Sequence, residues 1–155
     1  MNPIIAAIDP GTRKLGFCIV DGAGRAIEMG VIAPSGKSLP ERLLQIQDGM
    51  DRLFARHRPA EVAVETPYVG RNAASALTLA AGRALALTSA ARVGARVFEY
   101  TAPEAKRAVT GSGAAGKSSV QRVIQLLLGL ASPPPPDAAD AAALAICHQG
   151  RTGRR

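Results

Sequence analysis

The chain has 155 residues, 47% of them hydrophobic and 20% charged, enough for one domain with a continuous core and unlike a disordered or fibrous composition. Nineteen Lys and Arg against twelve Asp and Glu leave a net charge of +7, which calls for a polyanionic partner, nucleic acid first. Cys18 and Cys147 lack the spacing of a zinc site or a disulfide framework, and with no signal peptide or membrane-length apolar run visible the chain is expected in the cytoplasm.

Ile4 to Ile8 is an unbroken apolar run, the pattern of a strand buried on both faces and so central to its sheet. The turn Asp9-Pro10-Gly11-Thr12 stops it. A second strand over 15–20, the hairpin turn Asp21-Gly22-Ala23-Gly24 and a third strand over 26–33 follow. After a loop at 34–38, Leu39, Leu43, Leu44, Ile46, Met50, Leu53 and Phe54 keep helical spacing to about His57. Glu61 to Glu65 is a short strand halted by Thr66-Pro67. Asn72 caps an alanine-rich helix running to about Arg92, whose small residues suit close packing on the sheet or across a dimer interface. A strand over 96–100 leads into the capping box of Thr101 and Glu104, which opens a short helix through Val109. Gly111 to Gly116 is a flexible loop, and a helix runs from Lys117 to about Leu128. The prolines at 133–136 precede a last helix opening at Asp137. Three strands in tight turns, then alternating helices and strands, give an α/β layer fold with a mixed sheet. The domain is expected over 1–149, with 150–155 a basic disordered tail.

Four acids stand where a charge is hardest to bury. Asp9 and Glu65 end apolar strands, and Asp137 and Asp140 lie three apart on one helix face. Taken singly, Asp137 reads equally as a simple N-cap, whereas for Asp9 a turn residue before Pro-Gly is the lesser alternative. Glu65 is harder to dismiss, because no turn needs an acid before Thr66-Pro67. Gathered together, the four would raise one another's pKa values or hold a cation, and Mg²⁺ suits such hard oxygen donors. Two ions roughly 3.5–4 Å apart would activate water and stabilise a leaving oxygen without a Ser, Cys or His nucleophile. His148, eight residues beyond Asp140, reads as packed or exposed rather than ligating.

Several motifs share one resemblance. They are Ile8-Asp9-Pro10-Gly11-Thr12, Val64-Glu65, Arg71-Asn72-Ala73-Ala74-Ser75-Ala76-Leu77, Val97-Phe98-Glu99-Tyr100, Lys106, Gly111-Ser112-Gly113, Lys117, and Asp137-Ala138-Ala139-Asp140-Ala141 with His148. In order and spacing across roughly 4–148, they resemble the RuvC-type Holliday junction resolvases of the ribonuclease H-like superfamily. The resemblance implies a ribonuclease H-like α/β fold, a five-stranded mixed β-sheet flanked by α-helices. It also implies a homodimer that resolves four-way DNA junctions by paired symmetric nicks, leaving 5′-phosphate and 3′-hydroxyl ends. Mg²⁺ is the implied cofactor, two ions per site with Mn²⁺ able to substitute, and RuvA/RuvB-type branch-migration proteins are candidate partners.

Carried over by position, Asp9, Glu65, Asp137 and Asp140 match the family's catalytic, metal-binding carboxylates, and Lys106 and Lys117 its DNA-contacting lysines. Arg71 and Asn72 fall in the DNA-binding set, Arg71 as a phosphate contact. Tyr68 stands where the family carries an aromatic near the crossover, able to stack on an unpaired base or, equally, to lie on the core. Thr66-Pro67-Tyr68-Val69 departs from the family's usual segment, and Ala115-Gly116 lacks an acid often found there. These departures bear on substrate preference more than on chemistry.

Two decoys are set aside. Gly111 to Ser118 fits the G-x-x-x-x-G-K-[ST] phosphate loop, but such a loop follows a strand and the segment before it reads as helix. The turn Asp9 to Thr12 resembles the phosphate-binding turn of sugar kinases and actin-like ATPases, which need two lobes where this chain supplies one. A ribonuclease H-like nuclease acting on RNA or on other branched DNA is the nearest competing reading.

Overall fold

The computed structural model describes residues 3–67, 70 and 72–153. Tyr68 and Arg71 therefore lie outside the described residues. β1 (Ile5–Asp9), β2 (Leu15–Val20), β3 (Ala26–Ile32), β4 (Glu61–Glu65) and β5 (Arg96–Tyr100) form one five-stranded sheet in the order β3-β2-β1-β4-β5. The β1–β2 and β2–β3 pairs are antiparallel, whereas β1–β4 and β4–β5 are parallel. β1 is central, as its two-sided apolarity requires, and Ile5, Ala6, Ala7 and Ile8 have no exposed surface. The β2–β3 hairpin turns where Asp21 Oδ1 accepts from the amides of Ala23 and Arg25, and Gly24 takes the left-handed φ of +88°.

Five helices cover the sheet: α1 (Leu39–His57), α2 (Ala73–Arg92), α3 (Ala102–Thr110), α4 (Lys117–Leu127) and α5 (Pro136–Arg151). Strand alternation divides the core between them. Ala6, Ile8, Phe17, Ile19, Val62 and Val64 pack with Ile46, Met50 and Phe54 of α1 and Ala86 and Ala90 of α2. Ile5, Ala7, Cys18, Val20 and Ala63 face the other way, onto α4 and α5. The alanines of α5 keep its backbone close to the strands, and Ala138, Ala139 and Ala141 have no exposed surface. Gly16 of β2 is part of that fit, since a Cβ there would collide with the Asp137 carbonyl. Capping boxes open α1 (Ser38 with Glu41) and α3 (Thr101 with Glu104). Both cysteines are buried and unpaired.

One expectation changes. α5 continues to Arg151, two residues into the segment expected as a tail. Its last turn is held by Arg151 Nη2 on Glu104 Oε1 (2.6 Å) and by the Thr152 amide on the His148 carbonyl (3.0 Å). α2 passes a membrane span's test of length and composition alone, its most apolar 18-residue stretch having a mean hydropathy of 1.2. In the fold it is a packing layer, with Gly82, Ala86, Ser89 and Ala90 buried. Ser89 Oγ donates to Asp51 Oδ1 of α1 (2.8 Å), and Arg92 pairs with the same carboxylate.

Candidate active site

The register that pairs Ile8 with Val64 sets Asp9 and Glu65 next to each other at one end of the parallel β1–β4 pair. Alternation gives both the direction of Ala7 and Ala63, toward the face that α5 covers. α5 starts at that end. Pro135 is its N-cap residue and Pro136 opens it, so Asp137 lies within the first turn rather than serving as the cap. An acid there complements the positive end of the helix dipole.

Asp9, Glu65, Asp137 and Asp140 together line one open cleft of about 750 Å³. The turn from Pro10 to Lys14, Ser75 and Thr78 of α2, Lys106 of α3 and Lys117 of α4 complete its wall. The turn is held firmly. Arg42 Nε donates to the Thr12 carbonyl (3.1 Å), and a Cβ on Gly82 would come within 3.0–3.2 Å of the Gly11 backbone.

The acids behave as one electrostatic unit. Burial first, then the charges of Glu65, Asp140 and Asp137, push Asp9 from 3.8 up to about 8, against the pull of Lys117. Burial and then Asp140 lift Glu65 to about 7, opposed by Lys106. Asp140 is also raised, chiefly by burial, with Lys106 and Lys117 opposing. Among the described residues no group of three or more His, Cys, Asp or Glu side chains is arranged to hold a metal ion by itself. That absence of a preformed cage is compatible with Mg²⁺, which takes one or two carboxylates and completes its octahedron with water and substrate phosphate. Half-buried carboxylates that retain protons for want of a counter-charge are a donor set that fits such a cation.

Of the residues singled out from sequence, the four carboxylates and Lys106 and Lys117 meet in the cleft. Asn72 does not line it; its Oδ1 caps α2 by accepting from the Ser75 amide (3.2 Å). The 111–118 loop joins two helices, with Gly111 the left-handed cap of α3 (φ +78°), so it lacks the strand a nucleotide loop needs. Sequence reading missed Arg13, Lys14, Ser75 and Thr78. For Arg13 and Lys14 a signal existed, because they directly follow the turn that carries Asp9.

A family model described as crossover junction endodeoxyribonuclease RuvC matches residues 5–148. A protein of that name from Anaeromyxobacter dehalogenans is 45% identical over 151 residues, 96% of this chain and 81% of that one. One from Citrifermentans bemidjiense is 44% identical over 154 residues, 97% of this chain and 94% of that one. The solved structure of T. thermophilus RuvC in complex with Holliday junction substrate superposes with a TM-score of 0.85 at 31% identity, covering 98% of this chain and 97% of that chain. Since these matches span nearly every element of the fold, the chain belongs to the crossover junction endodeoxyribonuclease RuvC family.

Proposed function

We propose that the protein resolves four-way DNA junctions as a metal-dependent endonuclease, nicking two strands of like polarity and leaving 5′-phosphate and 3′-hydroxyl ends. One observation carries this reading: four carboxylates from three separate elements share a cleft with the cations of α3, α4 and the β1–β2 turn. The relative solved with a Holliday junction supports that substrate.

Asp9, coupled to all three other acids, would bridge two cations; Glu65 and Asp140 would complete their coordination, and Asp137 would hold or orient the second. Bound there, Mg²⁺ or Mn²⁺ supplies charge neutralisation at the scissile phosphate and acidifies an attacking water. Lys106 and Lys117 hold the adjoining phosphates. α4 opens at Gly116 without a side-chain cap, so its first-turn amides are available to the same phosphate. Tyr68 would stack on a base at the opened crossover, worth about 1–3 kcal/mol. Arg71 would hold a phosphate, and Asn72 would fix the start of α2 beside the DNA.

A junction cut at two symmetric positions needs two sites, hence a homodimer. The outward face of α2, where Leu77 is 74% exposed, supplies an apolar surface for it. RuvA/RuvB-type branch-migration proteins would deliver the junction in the cytoplasm.

The test compares nicking of a four-way junction, a linear duplex and an RNA–DNA hybrid, each with and without Mg²⁺. Paired ligatable nicks in the junction alone, dependent on the cation, are expected. Preferential cutting of the hybrid would instead establish the RNA-directed reading.

A further inference from the structure

α5 is tied to the sheet, at the end away from the cleft, by a buried polar chain. His148 has no exposed surface, and its partners Glu61 and Tyr100 are only 1% and 5% exposed. His148 Nε2 lies 2.9 Å from Glu61 Oε2, and Nδ1 lies 2.7 Å from the Tyr100 hydroxyl. A carboxylate only accepts, so Nε2 donates to Glu61 and Nδ1 accepts from Tyr100. Arg96 pairs with the other Glu61 oxygen, and the Phe98 ring packs on the imidazole with centroids 4.6 Å apart.

The connectivity gives this chain of bonds a consequence. Glu61 opens the strand that Glu65 ends. Tyr100 is the β5 partner of Glu65, and its carbonyl accepts from the Thr66 amide (2.8 Å). His148 belongs to the helix that carries Asp137 and Asp140. It therefore links the element bearing two of the carboxylates to the strand pair bearing a third. Apart from Gln149, whose Nε2 donates to the Asp21 carbonyl (3.2 Å) at the β2–β3 hairpin, the α5 contact with the sheet is largely alanine, a shallow surface whose apolar burial has no preferred direction. Hydrogen bonds do have one. Gly16, which pairs with Asp9 across β1–β2, lies against the Asp137 carbonyl at the first turn of α5, and His148 ties the other end of the helix to β4 and β5.

We propose that His148 is a positioning residue for the cation site: its bonds to Glu61 and Tyr100 seat α5 on β4 and β5 and so set Asp137 and Asp140 against Glu65 and Asp9. The proposal rests on the assignment of those carboxylates as cation ligands. It predicts a defect in cation affinity, with DNA binding and the fold largely spared.

The experiment uses the full chain with Tyr100→Phe, which deletes one bond at nearly constant volume, and His148→Gln, which cannot span both partners. Mn²⁺ binding without DNA is followed by the electron-spin signal of the free ion. Nicking is titrated with Mg²⁺, and junction affinity is measured in EDTA. Each variant is expected to bind Mn²⁺ about tenfold more weakly, near the lower bound for residues that orient metal ligands. The half-saturating Mg²⁺ should rise by the same factor, the rate should recover at saturating Mg²⁺, and junction affinity in EDTA should stay unchanged. If His148→Gln fails to fold, Tyr100→Phe decides alone. Lower thermal stability with unaltered Mn²⁺ binding would overturn the positioning role, as would a rate loss that Mg²⁺ does not restore. If the wild type itself bound no Mn²⁺, the ligand assignment would fall and the positioning role with it. Normal wild-type binding with unmoved variants overturns the positioning role only.

Discussion

Asp9 weakens the metal-free fold. Its pKa of about 8 in the folded chain, set by burial and then by Glu65, Asp140 and Asp137, lies far above the 3.8 of a solvated aspartate. Between those values the folded chain keeps a proton that the unfolded chain releases. Stability from this group is thus full below the unfolded value and is lost as pH rises through about 8. Glu65, lifted from 4.5 to about 7, acts with the same sign over its own window. At neutral pH the deficit from Asp9 is on the order of 2–4 kcal/mol. Asp9→Asn keeps the shape and removes the charge. In EDTA at neutral pH it should therefore stabilise the chain by about 1–3 kcal/mol in urea denaturation, while nicking is abolished and junction binding persists. A less stable variant would mean that Asp9 is not held among like charges. The same linkage governs activity, because a cation must displace protons from Asp9 and Glu65. At limiting Mg²⁺ the nicking rate should climb with pH through the range between about 7 and about 8, and the midpoint should move down as Mg²⁺ is raised. A flat profile would show that both groups are already ionised without metal.

The elements that local chemistry dictates were legible before the structure was known. β1 and β4 announce themselves as apolar runs ended by an acid, α1 by its leucine spacing, and α3 by the Thr101–Glu104 box. The pairing of Asp9 with Glu65 was legible as a condition, namely that their strands be neighbours, and the parallel β1–β4 register meets it. Long-range fits were not legible. Gly16 reads only as a glycine in a strand, and no local pattern says that the α5 backbone will press on it. The end of α5 was misplaced for the same reason, since the Arg151–Glu104 bond that holds it joins residues far apart in sequence. Two glycine substitutions separate these fits by magnitude. Gly16→Ala forces a methyl into the Asp137 carbonyl and should cost about 3 kcal/mol or more, with nicking lost in proportion to unfolding. Gly82→Ala meets the Gly11 backbone less severely, and the helix propensity of alanine returns about 1 kcal/mol. Its stability should change little, while nicking falls several-fold because the turn carrying Asp9 has shifted. Loss of stability and activity in parallel for Gly82→Ala would show that the turn resists the methyl and that activity falls through unfolding rather than through displacement of Asp9.

At the scale of the molecule, the cleft is formally balanced and the positive excess lies outside it. Four of the twelve acids and four of the nineteen cations line the cleft, leaving fifteen cations against eight acids elsewhere, a surplus of seven. A polyanion is drawn to the body of the protein and to the cleft cations, while the four clustered carboxylates repel its phosphate until metal neutralises them, so DNA and metal should bind with mutual support. Lys117 stands at the boundary of the two regions, exposed at the mouth of α4 yet close enough to pull down the pKa values of Asp9 and Asp140. Its removal should therefore be read in two independent ways. As a phosphate contact, Lys117→Ala should weaken junction binding and reduce the slope of log affinity against log salt by about one. As a neighbour of the carboxylates, the same variant should shift the pH midpoint of nicking upward, because Asp9 and Asp140 lose an opposing charge. Arg25→Ala, at the far hairpin turn where the side chain pairs with Asp21, should move neither quantity. A changed salt slope with an unmoved pH midpoint would confine Lys117 to the DNA, whereas the converse would make it a part of the cation site alone.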